Sequence, residues 1–410
     1  LGVKRSVPEL LCPAGDLERL QTVLFYGADA VYLGGHRFNL RARTRGFDLA
    51  ELSRAISMVR RAKARIYFCL NALISESSLD ACRGYIHELS VMDLDGLIVS
   101  DPGLVRQARK LAPHMPLHLS TQAGTYNSEA ALFWRDCGVK RVNLARELSL
   151  KEIKALARQP DGPELEMFVH GAMCMAVSGL CLLSAHLNRR SANFGQCTHP
   201  CRFDYRPRAL ALEESTRPGK ISWQLWEEEK FSRILSAEDL CLVKFLRWIT
   251  KNRIHCLKIE GRMKSVAYLG ITVDVYKTAL KDLCAGKFRP GLYLKELARI
   301  SSRPLGSGFF LPERKIFARS ESPTPSKRIL ARVDEQLDRD QWLVQVKSAW
   351  NSSMDLELVL PGLLRPYLAQ GHYSLEGIGK SPGPVVHSGL NAILRTRDER
   401  LAKGVLLREA

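Results

Sequence analysis

This 410-residue sequence contains no run of eighteen apolar residues, which excludes a transmembrane helix. Its first residues, L-G-V-K-R-S-V-P-E-L-L-C-P-A-G-D, lack the apolar stretch of a signal peptide. The expected location is therefore cytoplasmic, with no membrane partner. No G-x-G-x-x-G follows the first strand-like run, which argues against a doubly wound dinucleotide fold. Neither an H-E-x-x-H helix motif nor a convincing Ser-His-Asp set is present, so proteolysis is a poor fit. No two cysteines stand in the C-x2-C spacing of structural zinc knuckles, and none lies beyond Cys284.

Cysteine itself is not scarce. Seven of the eleven are scattered singly, but Cys174, Cys181, Cys197 and Cys201 crowd one segment in the pattern C-x6-C-x15-C-x3-C. In a reducing compartment such a group binds metal or works in redox chemistry more often than it forms disulfides. The irregular gaps suit an iron–sulfur cluster better than tetrahedral zinc, and Gly171, Gly179 and Gly195 supply turns and backbone N–H groups. On spacing alone Cys241 is an alternative to Cys201 as the fourth ligand.

Charge is the second positive signal. With 61 Lys and Arg against 43 Asp and Glu, the chain carries +18, which points to a polyanion such as nucleic acid. Arg41 and Arg43 crowd the loop G-H-R-F-N-L-R-A-R-T-R-G-F, and Arg189, Arg190 and Arg202 flank the cysteines. Interleaved Phe38, Phe47, Phe194 and Phe203 complete a mixture suited to phosphate pairing and base stacking.

Short apolar runs alternate with amphipathic stretches over the first 285 residues. Strands are expected at Glu9–Cys12, Ala30–Leu33, Ile66–Asn71, Gly96–Ser100, Leu117–Gln122, Arg141–Leu144, Leu165–His170 and Cys256–Glu260. Helices are expected between them, for example at Leu17–Gly27 and Leu49–Ala64. This pattern predicts an α/β chain built on a (β/α)8 barrel of TIM type. The cysteines fall in an insertion after the seventh strand, 171–235. A linker or wrapping segment is expected over 286–327 and a small antiparallel β-barrel, a possible RNA-docking domain, over 328–410.

In such a barrel the chemistry sits where strands end. His170 is a candidate acid or base, and Lys258 and Glu260, two apart on one strand, are candidates for a catalytic polar pair. Asn71 and Gln122 stand where they can read a base edge. Arg146, Arg262 and Lys264 stand where they can hold a phosphate or a dicarboxylate.

The segment from Glu164 to Tyr205 resembles the signature of the U32 peptidase (collagenase-like) family. The resemblance extends through E-L-L-C-P-A-G-D, Y-G-A-D-A-V-Y-L-G, S-D-P-G-L, H-L-S-T-Q-A, R-E-L-S-L and L-K-I-E-G-R-M-K-S, in that order along the chain. Within the family, V-H-G-A-M-C and C-T-H-P-C-R-F-D-Y are most similar to the branch of tRNA 5-hydroxyuridine synthases. That resemblance implies a 4Fe–4S cluster on Cys174, Cys181, Cys197 and Cys201, choosing Cys201 over Cys241. It also implies oxygen-independent hydroxylation of the wobble uridine in the tRNA anticodon region, with prephenate as hydroxyl source. An unidentified electron donor and a partner subunit from the same family are further implied. Related branches imply an rRNA cytidine hydroxylase or a ubiquinone hydroxylase subunit as alternatives. A non-enzymatic RNA-binding iron–sulfur protein is the alternative outside enzymology.

Overall fold

The computed structural model describes residues 7–40, 46–173, 238–311, 327–378 and 385–410, with parts of the segment 176–233. All eight expected barrel strands form: β1 (Glu9–Pro13), β2 (Ala30–Leu33), β3 (Arg65–Leu70), β4 (Gly96–Val99), β5 (Leu117–Leu119), β6 (Val139–Asn143), β7 (Glu164–Ala172) and β8 (Cys256–Ile259). They are parallel and run in sequence order, and pairing of β8 with both β1 and β7 closes the barrel. Strands buried on both faces read as apolar runs, and all four residues of β2 and of β4 are buried.

Helices α1 (Leu17–Phe25), α2 (Leu49–Arg61), α3 (Leu79–Ser90), α4 (Pro102–Leu111), α5 (Ser128–Asp136) and α6 (Leu150–Ala157) alternate with the first strands. Local sequence starts them. Asp16 caps α1, Asp101 caps α4 ahead of Pro102, and Asp48 with Glu51 and Ser149 with Glu152 form capping boxes on α2 and α6. In α2 the spacing of Leu52, Ala55, Ile56 and Val59 turns one face onto the strands. The helix ends at Arg61, short of the expected Ala64, because Lys63 takes a left-handed conformation with φ 54°.

After β7 the chain enters the cysteine insertion, which contains α7 (Leu183–Asn188). It returns through a short strand, Asp239–Cys241, that pairs antiparallel with the end of β7. Then come α8 (Leu246–Lys251), β8 and the long α9 (Val266–Cys284). The stretch read as linker from 286 instead begins with a helix, α10 (Pro290–Ala298), which buries Tyr293 and Leu297. Pro290 stands at its first turn, where the missing N–H costs nothing and the fixed φ suits a helix start. Leu305–Gly306 then adds a parallel strand beside Asp239–Cys241.

The C-terminal region is a seven-stranded antiparallel half-barrel. Its strand order is Tyr367–Leu368, Leu356–Val359, Leu406–Glu409, Ile329–Asp338, Gln341–Val346, Asn391–Arg395 and Ser374–Gly377. It has its own core around Leu330, Val333, Trp342, Trp350 and Leu358. The sheet docks on α1, α9 and α10. The Tyr26 hydroxyl donates to the Val359 carbonyl at 2.7 Å and accepts from the Leu406 amide at 3.2 Å. Gly270 permits the approach, because a Cβ there would stand 2.8 Å from the Tyr26 ring and 3.0 Å from Leu406.

Four charges, three of them buried, meet at this interface. Asp274 and Glu296, on α9 and α10, pair with Arg365 (2.8 and 3.1 Å), and Glu296 also pairs with the fully buried Arg408 at 3.2 Å. Burial alone would raise the Glu296 carboxyl, but the hydrogen bonds and charges of Arg408 and Arg365 pull it down to about 2. Removing one member strands the others away from water. The Glu296→Ala variant is expected to lose about 3 kcal/mol of stability in urea unfolding, whereas Glu376→Ala, cutting the exposed pair to Arg395, is expected to lose under about 1 kcal/mol.

Candidate active site at the barrel mouth

The interior of the barrel is charged. Apolar Leu11, Ala30 and Ile98 share it with Tyr32, Tyr67, Cys69 and Cys256. Arg141 of β6 reaches Glu9 at 3.0 Å and Glu164 at 2.8 Å, and lies 3.8 Å from Glu166. The Lys258 ammonium donates to Glu166 at 2.7 Å, both side chains buried. His118 packs against Tyr67, with ring centroids 4.5 Å apart and the rings tilted by 49°, and burial followed by the charge of Arg141 lowers its pKa well below the ordinary value.

Above this network the strand ends build the mouth. Lys258 sits 4.7 Å from the Tyr32 ring centre and 5.5 Å from that of Phe168. The Arg146 guanidinium lies 3.8 Å over the Phe168 ring and donates to the Ala172 carbonyl at 2.9 Å. The Tyr32 phenol is pushed well above its ordinary pKa, by burial first and then by Glu260 and Cys69, with Arg262 and Arg146 opposing. Tyr32, Arg146, Lys258, Glu260 and Arg262 therefore share one electrostatic neighbourhood. On the opposite side Asn71 donates to Gln122 at 3.3 Å and Ser120 at 3.4 Å.

Two expected groupings differ in the structure. Lys258 pairs with Glu166 of the neighbouring strand, not with Glu260 two residues along its own. Arg262 and Lys264 part company: Arg262 donates to Asn39 at 3.4 Å, whereas Lys264 donates to Asp239 at 3.3 Å beside the Tyr268 ring. Gly34 and Gly15 leave the space for Arg262; a Cβ at Gly34 would meet its guanidinium at 3.0 Å, and one at Gly15 its carbonyl oxygen at 2.4 Å. His170 turns to α9, its ring 5.7 Å from Tyr268 and 5.5 Å from Tyr276. A bulge between β7 and β8 next to it accounts for the change of side.

The cysteine segment lies across the mouth. Glu147, after β6, accepts from the Ser178 amide at 2.6 Å and its hydroxyl at 2.7 Å. Across the barrel, the Leu73 amide after β3 donates to the Asn193 carbonyl at 3.1 Å. Gly195, at φ 79°, packs so closely on the segment after β2 that a Cβ would stand 2.4 Å from the Asn39 carbonyl. The Asn193 side chain accepts from the Cys181 amide at 3.2 Å, tying the two halves together.

Cys181 and Cys197 are both half-buried, and the Cys181 sulfur accepts the Leu183 N–H at 3.4 Å. That chemistry fits an iron–sulfur cluster. Cys174, Cys201, Arg41, Arg43, Arg189 and Arg202 lie outside the described residues, and Arg190 is exposed beside α7. Cys241 instead packs in the outer core near the Tyr276 hydroxyl, its thiol pushed up to about 11 by burial.

Sequence reading missed Glu166, Arg141, His118 and Glu147. Charges at alternate positions of otherwise apolar strands were the available signal, since Arg141 and Glu166 interrupt β6 and β7 on their inner faces.

Burial, followed by the charge of Lys264, lowers His170 to about 3, with Glu260 opposing. A histidine titrating near 6.5 when unfolded binds a proton that the folded chain refuses. Its stabilising contribution is thus complete above about pH 6.5 and is lost as pH falls toward 3. Urea unfolding at stepped pH is expected to show about 1.4 kcal/mol less stability per pH unit from this residue below pH 6, a component that His170→Gln removes.

The family model of peptidase family U32 matches residues 15–318. The chain is 36% identical to tRNA hydroxylation protein P1 of Bacillus subtilis, covering 74% of this chain and 71% of that protein. It is 33% identical to tRNA hydroxylation protein P of Escherichia coli, covering 86% of each. A third relative, the 23S rRNA 5-hydroxycytidine C2501 synthase of Escherichia coli, is 31% identical over 77% of this chain and 44% of that protein. With a charged barrel mouth and a cysteine segment laid across it, this chain belongs to peptidase family U32.

Proposed function

We propose that this chain is an oxygen-independent tRNA hydroxylase that forms 5-hydroxyuridine at the wobble position. In this reading Cys174, Cys181, Cys197 and Cys201 hold a 4Fe–4S cluster, and prephenate is the hydroxyl source. The carrying observation is the cysteine segment anchored at Glu147 on one side of the mouth and at Leu73 and Asn39 on the other. It holds Cys181 and Cys197 over the strand ends, where barrel enzymes react substrates. The names of the Bacillus subtilis and Escherichia coli relatives support tRNA as the substrate class.

A bound cluster supplies one-electron chemistry that side chains lack. The chain's own residues divide the remaining work. Arg146 and Arg262 suit the carboxylates of prephenate, being planar cations with fixed donor geometry. Phe168, half-exposed beneath Arg146, offers a flat ring for a substrate face. The inserted segment screens the mouth from bulk water. His170, neutral and packed against Tyr268 and Tyr276, orients the end of β7 rather than moving a proton.

Two measurements test the reading. Anaerobically purified protein is expected to show cluster absorbance and stoichiometric iron, both lost in Cys181→Ser and Cys197→Ser. Mass spectrometry of tRNA nucleosides from a deletion strain is expected to show loss of 5-hydroxyuridine and its derivatives, restored by the wild-type chain and not by either variant. Unchanged nucleosides in the deletion strain overturn the function; a colourless protein with bound zinc overturns the cluster.

A further inference from the structure

Asn143 ends β6 with its side chain on the inner face of the barrel. Alternation along the strand sets this direction: Arg141 reaches inward to Glu9 at 3.0 Å, and Val142 packs into the outer core. Asn143 is 2% exposed and lies across the sheet from Glu166. Among the described residues neither its Nδ2 nor its Oδ1 has a hydrogen-bond partner. Buried amides with both ends unmet are rare in folded proteins, because each unmet group keeps its full desolvation penalty. The amides of Asn71 and Gln122, on the same mouth, are bonded to each other.

The pattern of unmet groups selects the ligand. An asparagine amide presents one acceptor and two donors side by side. A carboxylate can take only the donors, and the mouth already holds Arg146 and Arg262 for such groups. The Watson–Crick edge of uracil offers N3–H beside a carbonyl oxygen, and so matches both ends of the amide. Enzymes that act on a base commonly extrude it and read that edge.

Resting on the tRNA hydroxylase reading, we propose that Asn143 reads the extruded uridine, Oδ1 accepting from N3–H and Nδ2 donating to the adjacent carbonyl oxygen. Phe168, two residues along β7 from the Glu166 that pairs with Asn143, carries the Arg146 guanidinium 3.8 Å over its ring and offers a surface against which a base can lie.

The test uses the full chain, purified anaerobically, with unmodified tRNA and prephenate varied separately. Asn143→Ala is expected to lower kcat/KM for tRNA about 10- to 100-fold, the loss of two good hydrogen bonds. The KM for prephenate is expected to stay unchanged and the Tm not to fall, because the substitution removes unmet polar groups. Asn143→Asp keeps the shape but replaces the donor with a second acceptor facing the carbonyl, and is expected to fall at least as far. An unchanged kcat/KM with a lowered Tm assigns the amide to packing or a buried water and overturns the proposal. A rise in KM for prephenate alone assigns it to the co-substrate and overturns it too. If the wild type makes no 5-hydroxyuridine, the hydroxylase reading fails separately. Anisotropy titration of a labelled anticodon stem-loop then decides Asn143, and equal affinity of wild type and Asn143→Ala overturns its role.

Discussion

The carboxylate of Glu166, held between Lys258 and Arg141 inside a closed barrel, is the interaction on which the mouth is built. Barrels of this type usually fill the interior with layers of branched apolar side chains. Here a buried carboxylate is tolerated because two cations face it, at 2.7 Å and 3.8 Å. The pairing fixes Lys258, whose ammonium lies between the rings of Tyr32 and Phe168. Phe168 in turn carries Arg146, which bonds the Ala172 carbonyl where β7 gives way to the cysteine segment. One chain of contacts thus runs from the barrel interior to the segment that covers it.

That segment depends on two kinds of fastening. Glu147 grips it through charge-assisted hydrogen bonds to Ser178 and is itself steadied by the Tyr126 hydroxyl at 3.0 Å. The far side is fastened through the backbone among the described residues. Backbone meets backbone at Leu73 and Asn193, and Gly195 allows contact with Asn39 that any Cβ would prevent. Asn39 also receives the Arg262 guanidinium, so the strap and the loop after β8 meet at one residue.

The barrel was legible because most strands are buried apolar runs, as β2 and β4 are, and several helices carry their own caps, as Asp48 and Glu51 do for α2. What escaped was long-range. The helix Pro290–Ala298 fell in a stretch read as linker, and what holds it is the burial of Tyr293 and Leu297 against the core. Lys258 and Glu260 share a strand face in sequence, but a barrel offers Lys258 a nearer partner on β7 that no local pattern reveals. His170 was misdirected by a bulge, since one irregular residue reverses the inward and outward sides. Of the four signature cysteines, Cys181 and Cys197 fall on the strap as their position after β7 implied.

The distribution of charge separates docking from chemistry. Among the described residues the cations at the mouth are engaged at short range: Lys258 with Glu166, Arg146 with Phe168 and Ala172, Arg262 with Asn39. A surplus of +18 spread over the whole chain therefore acts mainly from elsewhere, on exposed positions such as Arg190. Exposed cations attract a polyanion over distances set by ionic strength and without regard to its sequence. Engaged cations and buried amides act only on groups brought within hydrogen-bond reach. A nucleic acid held by the first and read by the second would owe its affinity and its selectivity to different residues, with the anchored segment between them governing what passes from one to the other.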